Sequence, residues 1–173
     1  MVTTTLRAAI FCARPPSSLC VLGERTRDRK HLIITSIDVL KGRGSELASF
    51  DFDPAIEYWD FDISPDGTRL AVSGNPQGPI HILSLRNQAE QVIPAKFNNA
   101  GEFHWAADGR GLYVPDQTVR GTVLSYLDLH GNAHVLWVNP SGWPIWARPS
   151  PDGRHLAIEN SSGTSNIWMM ENF

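Results

Sequence analysis

The sequence is short of the features that usually announce a function. It holds two cysteines, at positions 12 and 20, among 173 residues, so no Cys-rich metal cluster can be built from it. No run approaches the ~18 consecutive apolar residues of a membrane-spanning helix. The N-terminus, MVTTTLRAAIFCARPPSS, offers a short apolar run and then Arg14 and two prolines. That makes a poor signal peptide; it reads as a first β-strand, or as a start codon inside a longer gene. A cytoplasmic location follows for the chain as encoded, and an extracytoplasmic one if it is a fragment of a membrane-tethered parent. Charge is sparse as well. Charged residues make up 19% and the formal net charge is −3, which leaves no electrostatic footprint for nucleic acid or an anionic membrane surface. The longest basic run, ERTRDRKH, carries Glu24 and Asp28 within it and reads as a solvated hairpin loop rather than a docking patch.

Catalytic and metal signatures are equally scarce. Among the six histidines (31, 81, 104, 130, 134 and 155) only His130 and His134 stand four apart, and Gly131-Asn132 between them spells a turn, not a helix face. There is no His-Glu-x-x-His helix and no Gly-x-Ser-x-Gly elbow for a nucleophilic serine. Asp51, Asp53, Asp60 and Asp62 could line a channel and hold a cation. The favoured reading is that Asp60 and Asp62 satisfy backbone groups or face solvent on the polar side of their strand. No metal, cofactor or catalytic residue is assigned.

What the chain does have is a repeat. ISPDGTRLAV (63–72) is echoed by WAADGRGLYV (105–114) and by PSPDGRHLAI (149–158). The aspartates Asp66, Asp108 and Asp152 are spaced by 42 and 44 residues, a period near the ~40–45 of four-stranded propeller blades. In Ser64-Pro65-Asp66-Gly67, proline presets the φ of a tight turn, glycine takes the left-handed position, and Ser64 and Asp66 can bond nearby N–H groups. Ser150, Pro151, Asp152 and Gly153 repeat the device in full. The middle copy keeps Asp108 and Gly109 but has Ala106-Ala107 in place of Ser-Pro, so its turn should survive without the preset φ.

The strands follow from periodicity. Trp59, Phe61 and Ile63 alternate with Asp60 and Asp62 before the first turn, a period of two. A third strand follows each turn: IHILSL (80–85), LSYLDL (124–129) and IWMMEN (167–172). The first two are apolar at most positions, as expected where both faces are covered. Fourth strands follow at EQVIP and AHVLWV. Residues 5–53 lack the Asp-Gly turn but offer four apolar runs, LRAAIFCA, SLCVLG, HLIITSI and ELASFDF. No stretch has a helical period. The chain therefore reads as one all-β domain of about four antiparallel blades (roughly 5–53, 56–95, 101–139 and 143–173), the last one three-stranded.

This pattern resembles the WD-like β-propeller repeats of the TolB type over residues 55–173, and by strand pattern alone over 5–52. DVLKGRGSELASFD, GNAHVLW and SNIWMMENF further resemble the C-terminal propeller part of acidobacterial serine/threonine kinase or winged-helix fusion proteins. No kinase motif is present in this chain, so that activity is not carried over. Four blades raise a closure question, because an open ring leaves strand edges and blade faces bare. Either this is half of a larger ring, completed by a second copy or other blades, or the Thr3–Ala13 region pairs with the incomplete last blade and closes a small one. The half ring is favoured.

Two further readings concern particular side chains. Cys12 and Cys20 face one another if ARPPSSL is a symmetric hairpin loop, which makes them a candidate disulfide; two buried free thiols are the alternative, favoured in the absence of an export signal. Trp59, Trp105, Trp146 and Trp168 read as core packing rather than a ligand platform. The resulting expectation is a non-catalytic interaction or sensor module for a protein, peptide or ligand. The alternative is an accessory propeller of a kinase or prolyl-peptidase-like enzyme whose catalytic domain is elsewhere.

Overall fold

The computed structural model describes residues 8–140, 143–161 and 165–171. Four antiparallel sheets, each a simple up-and-down meander, are arranged in a ring as a four-bladed propeller. Sheet 1 comprises β1 (Ala8–Cys12), β2 (Cys20–Arg25), β3 (His31–Asp38) and β4 (Gly42–Asp51). Sheet 2 is β5 (Asp60–Ile63), β6 (Arg69–Ser73), β7 (Ile80–Ser84) and β8 (Glu90–Ile93). Sheet 3 is β9 (His104–Trp105), β10 (Gly111–Thr118), β11 (Gly121–Asp128) and β12 (Ala133–Asn139), and the three-stranded sheet 4 is β13 (Trp143–Pro149), β14 (His155–Ser161) and β15 (Ser165–Glu171). The first strands lie innermost: β5 touches β1 and β9, and β9 touches β13.

Covering both faces of a sheet demands near-continuous apolar strands, and β6 shows it. Leu70 and Val72 pack toward sheet 1 with Val21, Leu32, Ile34 and Phe61. Ala71, between them, faces sheet 3 with Ile80, Ile82, Phe103, Trp105 and Leu112. A third cluster, Ala106, Tyr113 and Leu124 with Ala147, Leu156 and Ile158, joins sheet 3 to sheet 4.

The seam between sheets 4 and 1 is built differently. None of these three apolar clusters spans it. It is bridged by two arginines. Arg14 donates from Nη1 to the Ser150 carbonyl (3.2 Å) and from Nη2 to that of Pro149 (3.1 Å). Arg148 answers from the other side, its guanidinium 5.5 Å from the centre of the Phe11 ring. Of the two arrangements the sequence left open, the structure has the closed one. Among the described residues of the proposed closing segment, β1 pairs with β2 and not with sheet 4; residues 3–7 lie outside the described residues.

The loop that carries Arg14 is held at its base. Cys12 and Cys20 are register partners across β1 and β2, and their sulfurs are bonded. The free-thiol reading is thereby corrected; direct opposition in the ladder is what brings the two side chains together. Closing so short a loop contributes about 2.5 kcal/mol on chain-entropy grounds. The Arg14 backbone is fixed too, its N–H donating to the Pro65 carbonyl at 2.8 Å.

Replacing Arg14 with Ala is expected to lower unfolding free energy by about 1–3 kcal/mol, since two carbonyls lose a charged donor. Arg27→Ala, in the exposed hairpin loop, should stay within about 0.5 kcal/mol of the parent. Urea unfolding of the three proteins measures both.

Candidate functional site

The hairpin turns β1–β2, β5–β6, β9–β10 and β13–β14 gather at one end of the ring. In the first Asp-Gly copy the Ser64 hydroxyl donates to Asp66 (2.6 Å) and accepts from the Arg69 N–H (2.9 Å), while the Gly67 N–H closes the turn on the Ser64 carbonyl (2.8 Å). The last copy repeats this: Ser150 to Asp152 at 2.5 Å, His155 N–H to Ser150 at 3.0 Å, and Gly153 N–H to the Ser150 carbonyl at 3.0 Å. Gly67, Gly109 and Gly153 have φ of 72°, 67° and 72°, the left-handed region that a Cβ disfavours. In the middle copy Gly109 still bonds the Ala106 carbonyl (3.0 Å) and Asp108 still accepts from Arg110 (2.9 Å), so the turn forms without serine or proline. Burial alone would raise the Asp66 carboxyl, but hydrogen bonds from Ser64 and Thr68 hold it below the usual range. The Ser150 hydroxyl and the Arg154 N–H do the same for Asp152.

These turns also link neighbouring sheets. Arg69 donates to the Gly109 carbonyl at 2.7 Å, and Arg69 covers the Trp105 ring at 4.8 Å. Pro65 and Pro149, each carbonyl bonded to Arg14, flank the ring axis.

Asp60 and Asp62 are buried beside that axis, not solvent-facing. Each completes an edge of β9, a two-residue strand whose partner in its own sheet is β10. Asp60 accepts from the Phe103 N–H (2.8 Å); Asp62 accepts from the Trp105 N–H (2.9 Å), and the Trp105 indole donates to the Asp62 carbonyl (3.2 Å). The same Asp62 oxygen lies 3.3 Å from His104 Nδ1, and its other oxygen accepts from the Ile63 N–H at 2.8 Å. Burial drives the Asp60 carboxyl far above the usual carboxylate range, with the charges of Glu102 and Asp62 pushing the same way.

Between the inner strands is a cavity of about 320 Å³, lined by Phe11, Arg14, Asp62, His104, Trp105 and Arg148 among others. Its polar groups are unequally satisfied. Asp62 is saturated by backbone N–H groups and His104. Arg14 is engaged with carbonyls, and burial lowers its guanidinium pKa against the opposing charge of Asp62. His104 is 3% exposed and its Nε2 has no hydrogen-bond partner. A wider groove of about 570 Å³ lies between sheets 3 and 4, with Tyr113 and Tyr126 in edge contact (5.8 Å) beside Asp108 and Asp152. Burial pushes the Tyr113 phenol up to about 12.

No family model matches the chain, and neither does any curated protein. Solved structures do. A protein assigned as TolB from Agrobacterium tumefaciens aligns over 94% of this chain with a TM-score of 0.66 and 21% identity, and TolB from Acinetobacter baumannii over 93% with 0.65 and 16%. The fold resembles TolB-type β-propellers. The hydrazine synthase of Kuenenia stuttgartiensis also aligns, over 94% of the chain and 50% of its own, with a TM-score of 0.59 and 15% identity. The chain spans 58% of the first TolB structure and 40% of the second.

Within this TolB-like ring the remaining sequence candidates are dispersed. His31 pairs with Asp51 (2.7 Å), His81 with Glu90, and His155 lies 3.5 Å from Glu171. His130 sits in the β11–β12 turn, its N–H on Asp128 (2.8 Å). Asp53 caps the Ala55 N–H at 2.8 Å. Among the described residues no three His, Cys, Asp or Glu side chains converge as a metal site. Trp105 is core, and Trp59 stacks on Phe61. Trp168 is 58% exposed on β15, against the core reading, because β15 is the outer strand of sheet 4 among the described residues. Arg14, Arg148 and the inward role of His104 were not singled out from sequence. The usable signal for Arg14 was its place in the one inner hairpin that lacks Asp-Gly.

Asp60 gives a pH test. Its folded-state pKa is raised, so its favourable contribution is complete below the unfolded value near 3.8 and is lost as pH rises through the folded value. Asp60→Asn keeps an acceptor for Phe103 and cannot ionise. Its stability relative to the parent is therefore expected to grow from pH 4 to pH 7; a constant difference across urea unfolding at those pH values would refute the assignment.

Proposed function

We propose that this chain is a non-catalytic binding module, the propeller portion of a larger bacterial regulatory protein, which senses a ligand or partner at the turn-bearing end of its ring. The observation that carries this reading is the axial cavity. It brings Arg14, Asp62, His104 and Arg148, one from each sheet or its inner hairpin, together beside Phe11, Ile63 and Trp105, and convergent polar groups in a concave site are what recognition uses. Among the described residues its lining includes no serine, threonine or tyrosine, and the cysteine there, Cys12, is tied up with Cys20. A His104–Asp62 pair without an adjacent nucleophile supports recognition rather than covalent chemistry. The larger parent protein is supported by the resemblance of DVLKGRGSELASFD, GNAHVLW and SNIWMMENF, and by the partial span of both TolB structures.

A thermal-shift screen of chemically diverse small molecules tests the reading. A ligand at 100 times its Kd adds about 2.7 kcal/mol, which for a chain of this size raises Tm by roughly 5–10 °C. At least one compound should stabilise the parent, be recovered unchanged by mass spectrometry, and lose its effect in Ile10→Trp, whose side chain fills the cavity wall. Consumption of the compound would identify an enzyme instead.

A further inference from the structure

We infer that the axial cavity binds a compact organic monocarboxylate, with its carboxylate on Arg148 and His104 and its apolar body against Phe11, Ile63 and Trp105. The inference rests on the binding-module reading and specifies its ligand.

Charge is the first argument. Arg14, Arg148 and Asp62 all line the cavity, so two guanidinium charges oppose one carboxylate and one positive charge is left unmatched. Any proton on His104 adds to the same field. A monoanion cancels that excess, whereas a cation would add to it.

The distribution of hydrogen bonds decides where the anion sits. Asp62 already accepts from the Ile63 and Trp105 N–H groups and faces His104 Nδ1. Arg14 is committed to the Pro149 and Ser150 carbonyls. Arg148 is different: its guanidinium lies over Phe11 and makes no hydrogen bond or ion pair among the described residues. A guanidinium stacked on a ring keeps its edge free for a two-pronged bond to a planar carboxylate. His104 contributes the second group. With Nδ1 turned to Asp62, a ligand oxygen at Nε2 gives that atom the partner it lacks.

Carboxylate is favoured over phosphate by the one free guanidinium edge, which matches two coplanar oxygens. Phe11, Ile63 and Trp105 give a hydrocarbon body a surface to pack against. At about 320 Å³ the site accommodates a small molecule and not a folded segment.

Calorimetric titration of the full chain with benzoate, benzamide and inorganic phosphate tests this. Benzoate should bind one per chain, with benzamide and phosphate each about 10- to 100-fold weaker. Arg148→Gln should weaken benzoate by a similar factor and leave benzamide unchanged, while His104→Gln lowers benzoate affinity to a smaller degree. Arg148 is exposed but touches Phe11 across the seam, so a cooperative unfolding transition shifted by no more than roughly 5 °C shows that the variant's fold is intact. Equal affinity for benzoate and benzamide, benzoate binding by Arg148→Gln like the parent, or tighter binding of phosphate would each overturn the inference. If a neutral or cationic compound from the diverse screen fills the cavity and benzoate does not, the carboxylate assignment falls and the binding module stands. If no compound binds at all, both fall.

Discussion

A ring of sheets has to be closed somewhere, and here the closing contact is the guanidinium of Arg14. Three of the four seams are filled with interlocking apolar side chains, which is non-directional and tolerant chemistry. At the fourth, Arg14 reaches the Pro149 and Ser150 carbonyls while its own N–H is fixed by Pro65. One residue thus touches sheets 1, 2 and 4. Its placement depends on the hairpin loop around it, which the Cys12–Cys20 bond holds at its base. The axial cavity lies beside this contact, with Arg14, Phe11 and Arg148 in its wall.

The acidic groups near the axis show how structural and recognition roles are divided. Asp60 satisfies the N–H of Phe103 just before β9 and Asp62 that of Trp105 within it, yet their surroundings differ. Burial raises the Asp60 carboxyl well above the usual carboxylate range, and the charges of Glu102 and Asp62 push the same way. Asp62 shares its cavity with Arg14 and Arg148 and lies against His104. Two carboxylates two residues apart on one strand therefore do different work, one as a buried acceptor for the Phe103 N–H and one as the orienting partner of a histidine.

Much of the fold was legible in the chain because its information is local. The Asp-Gly turns fix the inner hairpins, since a turn needs only neighbouring residues and a left-handed glycine. Apolar runs on both faces of β6 and β7 announce packing on two sides. The bounds slipped where pairing overrode composition: β4 begins at Gly42, inside what reads as a separator, because Arg43 forms a forked ion pair with Glu24 on β2. The site was far less legible. Arg14, His104 and Arg148 share no motif and no spacing, and only the ring brings them to one cavity. Trp168 misled for a related reason: a tryptophan reads as core unless one knows that its strand is an edge.

The contact between Arg14 and Ser150 joins residues 136 positions apart. Each apolar seam links sheets that are adjacent in the chain, so those three can form in order as the polypeptide is made. The arginine clasp cannot, because it needs both the first hairpin and the last sheet. A chain with only its first three sheets in place already has two of its apolar cores but no axial cavity. Occupancy of that cavity is therefore a property of finished molecules alone, and a bound ligand would favour the finished ring over its compact precursors.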